Sequence, residues 1–192
     1  MNEKRTTTQQ ATGADDTLPK LLLRNYRLWG NTRVALRKKR RGIWEEYTWE
    51  NCYQQVKSIF HGMIGLGLEP GDKVVILGDS GLTWFWGELA VQAAGGRVIG
   101  ISPALSPSEI KPLFQHAQPR FALVRDQEQV DKLLEIEKDI PSVKKIIYWN
   151  EKGLRHYTNP LLMSLANMVK AGEDIQKSRA GSFEEKVAQA SA

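Results

Sequence analysis

The apolar positions become regular at Thr17, after which Leu18, Leu21, Leu22 and Tyr26 recur at three- and four-residue spacing. That spacing lines one face of an α-helix, so a short helix is predicted from Thr17 to Trp29, with Thr17 as N-cap and Pro19 in the first turn. Two strand-like runs follow, Arg33 to Leu36 and Ile43 to Thr48, separated by Arg37, Lys38, Lys39, Arg40, Arg41 and Gly42. This suits a hairpin whose exposed tip carries the charge. From Thr48 the helical period returns: Trp49, Cys52, Tyr53, Val56, Ile59, Phe60, Met63 and Ile64 make one long apolar stripe. Thr48 is its expected cap, Glu50 lies in the first turn where the helix dipole favours a negative charge, and Gly65 or Gly67 is the expected terminator.

Beyond the turn Pro70-Gly71-Asp72, the run Val74-Val75-Ile76-Leu77 is apolar without alternation, as expected of a strand covered on both faces. Leu82 to Ala94 is apolar on most sides and predicts a buried helix, with Asp79 or Ser80 as its cap. Val98-Ile99 gives a second strand. Ser106-Pro107-Ser108-Glu109 has the form of a capping box with proline at the first helical position, and Pro112 inside the following helix predicts a kink or an early end. Phe121 to Val124 is a third strand, Asp126 to Glu137 a helix, and Val143 to Tyr148 a fourth strand. Strands alternating with helices imply an α/β fold with a mostly parallel sheet and helices on both faces. Leu161 to Val169 has a further helical pattern, but Ala171 to Ala192 is small, polar and charged, with no core face evident.

Composition changes little in this picture. Hydrophobic residues make up 41% and charged residues 26% of 192, ordinary for a globular chain. Met1 to Asp16 is almost entirely polar and reads as a disordered arm without the apolar stretch of a secretory signal. Leu82 to Gly95 is too short for a membrane span, which takes about 20 residues. The single cysteine, Cys52, rules out an intramolecular disulfide and multi-cysteine zinc sites, and a reducing cytoplasmic setting is expected. Cys52 itself falls on the apolar stripe and reads as a small core residue. The net charge of +5 is supplied by Arg37, Lys38, Lys39, Arg40 and Arg41, without which the chain would be formally neutral.

Several motifs suggest chemistry. A strand followed by Gly78-Asp79-Ser80 resembles the nucleophile block of the GDS(L) esterases, but a serine nucleophile needs a histidine base held by a third group. Those esterases usually carry an aspartate three residues before that histidine, whereas Ser58, Leu113 and Gly153 precede His61, His116 and His156. Gly62, Gly65 and Gly67 end a helix instead of opening one after a strand, so they do not make a dinucleotide loop. No G-x-x-x-x-G-K-[ST] occurs, and the three histidines are too far apart for a local metal site. The five cations from Arg37 to Arg41 are most simply a solvated tip. They are also the candidate contact for an anionic surface, such as a membrane holding an acyl-chain substrate. No arginine-rich recognition helix or aromatic stacking platform accompanies them, so nucleic acid is not an expected partner.

Taken together, Thr17-Leu18-Pro19-Lys20-Leu21-Leu22, Tyr47-Thr48-Trp49, the run from Leu66 to Gly78, Trp84, Glu88-Leu89-Ala90, Gly100-Ile101-Ser102-Pro103 and the run from Asp126 to Leu134 resemble the opening of the adenylate-forming (AMP-binding) enzymes. The resemblance is to their long-chain fatty acyl-CoA synthetase branch, over about Thr17 to Tyr148. It implies an acid–thiol ligase that uses ATP, Mg2+ and CoA. It also implies that the phosphate loop, nucleotide contacts, magnesium glutamate and catalytic lysine lie further along the polypeptide, so no catalytic, cofactor or metal residue is assigned here. Ser80, Arg97 and Pro112 depart from the family's usual asparagine, small apolar residue and non-proline. The expected organisation is an arm over residues 1–16, an incomplete large domain over 17–150, and a weakly structured linker over 151–192. Such a portion is expected to be inactive alone, with the remainder of the synthetase as its partner and a cytoplasmic location, peripheral to a membrane if the basic run binds one. Half of a split ligase and a non-catalytic interaction module are the alternatives, with the esterase a remote one.

Overall fold

Thr17 fixes the start of the first helix, α1 (Leu18–Trp29): its hydroxyl accepts the Lys20 N–H, as a capping threonine does. The computed structural model describes residues 16–178 and 181–190, so the arm expected over 1–16 lies, except for Asp16, outside the described residues. The hairpin follows as β1 (Val34–Arg40) and β2 (Ile43–Thr48). Its first strand is longer than the apolar pattern suggested. Arg37 to Arg40 are paired strand residues, and only Arg41 and Gly42 make the turn. Both have positive φ, 49° and 85°, the signature of the two-residue turn whose twist matches that of the flanking strands. The charge thus runs along a strand and is not confined to a tip.

In α2 (Trp49–Gly65), Thr48 and Asn51 exchange side chain-to-backbone bonds in a capping box. The helix ends in a Schellman motif: Leu68 N–H reaches Met63 O and Gly67 N–H reaches Ile64 O, with Gly67 at φ 85°. A β-carbon is disfavoured at that φ, which is why glycine stands there.

The remaining elements are β3 (Lys73–Leu77), α3 (Leu82–Ala93), β4 (Arg97–Ile101), α4 (Pro107–Ala117), β5 (Phe121–Val124), α5 (Gln127–Glu135), a 3-10 turn (Glu137–Asp139), β6 (Lys145–Tyr148), β7 (Leu162–Ser164), α6 (Leu165–Ser178) and α7 (Ser182–Gln189). Five strands pair in parallel in the order β4-β3-β5-β6-β7. The non-alternating run on β3 is explained by two cores. Val74 and Ile76 face the layer containing Val56, Phe60 and Leu89 of α2 and α3, while Val75 and Leu77 face Ile110, Phe114, Val130 and Leu133 of α4 and α5. Both faces of the sheet are therefore dry, as parallel sheets require.

Four expectations are resolved by this packing. Asp79 and Ser80 do not cap α3; Gly81 holds the N-cap position without a side-chain bond. Pro112 lies inside α4, which continues to Ala117, and it faces solvent, where the carbonyl it leaves without a helical partner can be hydrated. Arg97 needs no buried partner because β4 is an edge strand and the side chain is exposed. The stretch expected as a linker instead carries β7, α6 and α7, with Met168, Phe183 and Val187 buried in the same core as α2.

Candidate functional site

β3 feeds a crossover to β4 on one side and is flanked by β5 on the other, so the chain direction diverges at its carboxyl end. In open parallel sheets such a divergence leaves a crevice beyond the strand ends, the usual place for a ligand. Beside that point, beyond the carboxyl ends of β3 and β4, a concavity is lined by Gly78, Asp79, Ser80, Trp84, Gly100 and Ser102. Across the divergence itself, the loops after β3 and β5 are tied by the protein's own groups. Arg125, just past β5, binds Asp79 and also donates from Nε to Asp126 at 2.7 Å. The bond to Asp126, followed by that to Asp79, outweighs the effect of burial and holds the guanidinium pKa above its ordinary value. Trp149 closes over the loop: a β-carbon on Gly78 would sit 2.8 Å from the indole and 3.0 Å from Arg125 Cβ. Glycine there is a requirement of close approach. Sequence reading found Asp79 but not Arg125 or Trp149, which lie 46 and 70 positions further on.

A second concavity, about 430 Å³, opens between the hairpin and the start of α3. Leu36, Leu82, Trp84 and Phe85 make its apolar walls, with Arg37 and Lys38 at the rim. The hairpin is held at its base by Tyr47, whose ring meets Trp86 edge-on at 5.6 Å between centroids.

The five candidate cations are not equivalent. Arg37 pairs with Glu46 at 2.9 Å, Arg40 approaches Glu45 at 3.9 Å, and Lys39 lies 5.8 Å over the Trp44 ring. Lys38 stands opposite Glu45 in register, and Arg41 occupies the turn. These pairs are exposed and contribute little stability. Ile43 and Trp44, which the sequence reading counted only as strand residues, are 71% and 60% exposed.

The histidines do not assemble the esterase constellation. His61 reaches Ser182 of α7, not Ser80, with Nε2 3.2 Å from the hydroxyl, while Nδ1 lies 2.8 Å from Lys57 O. Burial pushes its imidazole below the ordinary pKa. Next to it, Lys57 donates to Glu184 at 2.7 Å and Tyr53 donates to the same carboxylate. Burial alone would raise the Glu184 pKa, but the bonds from Lys57 and Tyr53 prevail and hold it low. His61 is almost fully buried, so this group locks α7 onto α2 and offers no path to a substrate. Cys52 is also buried.

Among the described residues, no three of His, Cys, Asp and Glu gather into a group that could hold a metal ion, and no helix is long and apolar enough to cross a membrane.

Comparison with known proteins gives a consistent result. A sequence model of the AMP-binding enzymes matches residues 26–177. The long-chain-fatty-acid–CoA ligase ACSBG1 of Rattus norvegicus is 28% identical over 141 residues, 73% of this chain and 19% of the relative. ACSBG2 of Xenopus laevis is 29% identical over 146 residues, 76% of this chain and 20% of the relative. The chain thus spans about a fifth of the length of these relatives. Among solved structures, the anthranilate CoA ligase AuaEII in complex with anthranoyl-AMP superposes with a TM-score of 0.68 at 20% identity, over 83% of this chain and 30% of that one. Acetoacetyl-CoA synthetase of Streptomyces lividans gives 0.69 at 19%, over 79% and 24%. At such identities the structural likeness speaks for the fold.

Proposed function

Because the chain belongs to the AMP-binding enzyme family, we propose that it forms the opening part of the large domain of an ATP-dependent long-chain fatty acid–CoA ligase, where it supplies scaffold and no reacting group. The observation that carries this reading is the family match over residues 26–177, joined to long-chain-fatty-acid–CoA ligases as relatives. In the complete reaction a fatty carboxylate oxygen attacks the α-phosphorus of ATP and pyrophosphate leaves. The CoA thiolate then attacks the acyl carbon and AMP leaves.

Such chemistry depends on holding reactants in line and on placing charge where it develops, which needs a rigid support. The doubly covered sheet is suited to that role. The charged groups at its carboxyl end are already engaged: Arg125 is tied to Asp79 and Asp126, and so braces the loops after β3 and β5. No ATP, magnesium or CoA contact is assigned to this portion. The buried free thiol of Cys52 suits a reducing cytoplasmic setting.

The test is ATP–pyrophosphate exchange with a panel of long-chain fatty acids. The 192-residue chain alone is expected to give no exchange above background, and the chain joined to the remainder of a ligase is expected to give fatty acid-dependent exchange. Exchange by the chain alone, or none from the joined protein, would remove the reading.

A further inference from the structure

The hairpin combines two features that the ligase reading does not use. Along β1 and the turn, Arg37, Lys38, Lys39, Arg40 and Arg41 place five cations against the two carboxylates of Glu45 and Glu46. At the start of β2, Ile43 and Trp44 present large apolar side chains to solvent. Antiparallel register joins the two sets, because Arg40 stands opposite Ile43 and Lys39 opposite Trp44. Residues directly opposite in such a ladder share a face. Each apolar tip residue therefore has a cation beside it on the same side of the ribbon, and Lys39 lies over the Trp44 ring.

We propose that this hairpin is a docking device for an anionic lipid surface, with Ile43 and Trp44 entering the interfacial layer and Lys38, Lys39 and Arg41 meeting acidic headgroups. Charge complementarity selects the occupant. Arg37 and Arg40 are compensated by nearby carboxylates, whereas Lys38, Lys39 and Arg41 leave a cationic excess around the apolar tip. Tryptophan is favoured at the boundary between headgroups and acyl chains, where its ring is dry and its N–H stays wet. One weak signal gives only marginal membrane binding and stable association takes two, such as an apolar insertion and a basic patch; the hairpin holds both within ten residues, 37–46. The ribbon is also a separate two-stranded sheet, outside the five-stranded one, and because Ile43 and Trp44 are consecutive on β2 and project to opposite faces, it enters the lipid surface tip-first, carrying both side chains in without opening the core. The proposal does not depend on which fatty acid, if any, the assembled protein activates.

The experiment is co-sedimentation of the full 192-residue chain with vesicles of phosphatidylcholine alone and of phosphatidylcholine with about one third phosphatidylserine, which supplies acidic headgroups. Binding is expected to the acidic vesicles with at least a tenfold preference and to fall steeply between low and high salt. The triple variant K38S/K39S/R41N should lose about tenfold or more by the same electrostatics; asparagine is chosen because it tolerates the left-handed conformation of Arg41. Ile43→Ser with Trp44→Ser should weaken binding to acidic vesicles and leave the far-ultraviolet spectrum unchanged, since both side chains are exposed. Equal sedimentation with both vesicles, no sedimentation with either, or unchanged binding by both variants would overturn the proposal. So would concentration-dependent self-association abolished by Trp44→Ser, which would make a second copy the occupant.

Discussion

Lys57 Nζ on α2 lies 2.7 Å from Glu184 Oε1 on α7, so a contact across 127 residues of sequence clasps the last helix to the longest one. Tyr53, one turn before Lys57, donates to the same carboxylate and stacks on Tyr26 of α1 with ring centroids 3.8 Å apart. One acidic side chain thus gathers α1, α2 and α7 on one face of the sheet.

Replacing Glu184 with alanine removes the acceptor shared by the partly buried Lys57 and the buried Tyr53. Cutting one partner from a buried charged pair is costly, though this pair is not fully sealed, with side-chain exposures of 16% and 26%. A loss of about 1–3 kcal/mol is expected. Hydrogen exchange should show α7 losing protection before α2; equal loss across both would mean that the clasp is not local.

Acidification should loosen the same region. The folded protein holds His61 and Glu184 below their ordinary pKa values, His61 through burial and Glu184 through the bonds that outweigh burial. The unfolded chain therefore binds more protons wherever pH lies between the folded and unfolded values, and stability rises with pH there. The His61 contribution is complete above about pH 6.5 and is lost as pH falls through its folded pKa; that of Glu184 is complete above about 4.3 and is lost lower still. Denaturant midpoints should fall from pH 7 to pH 5, and His61→Gln should flatten that slope. A midpoint rising on acidification would contradict the assignment.

Gly172 to alanine should destabilise the chain, although in an exposed helix the same change gains about 1 kcal/mol from helix propensity. A β-carbon at Gly172 would lie 2.5 Å from Gly62 N and 2.8 Å from Gly62 Cα, both backbone atoms that cannot turn away. A loss of about 1–3 kcal/mol, typical of overpacking, is expected in chemical denaturation. At Gly65 the clashing atom is the flexible end of Ile175, 2.9 Å away, so Gly65→Ala should be milder.

The Cys52 thiol should resist modification in the native chain. It is buried, and burial pushes its pKa up, with the Trp86 indole acting in the opposite direction. The thiolate is the reactive form. A thiol reagent should label Cys52 only at the rate of unfolding; rapid labelling without denaturant would contradict the packing of α2 against α3.

Elements with a strong period were legible before the structure. The stripe from Trp49 to Ile64 and the capping box at Ser106 and Glu109 fold as their spacing dictates, and the unbroken run on β3 did indicate two covered faces. What was hidden depended on distant partners. The charge run masked the continuation of β1 because alternation cannot be seen where every residue is a cation. α7 has Phe183 and Val187 as apolar anchors, and its other attachments are polar, the partly buried Glu184 carboxylate and the Ser182 hydroxyl, which no hydrophobic count reveals. Asp79 reads locally as a helix cap, yet its partner is Arg125, 46 residues away. The family resemblance was visible in ordered short runs, whereas the exposed Ile43 and Trp44 beside the basic strand emerged only from register and exposure.

A portion that supports adenylation without performing it should be silent in ATP–pyrophosphate exchange until the rest of a ligase is supplied. The 192-residue chain is assayed with long-chain fatty acids, first alone and then with the remainder of a ligase joined to it. Background exchange is expected from the chain alone and fatty acid-dependent exchange once the remainder is present. Fatty acid-dependent exchange from the chain alone would contradict it, because reacting groups would then have to lie within these 192 residues.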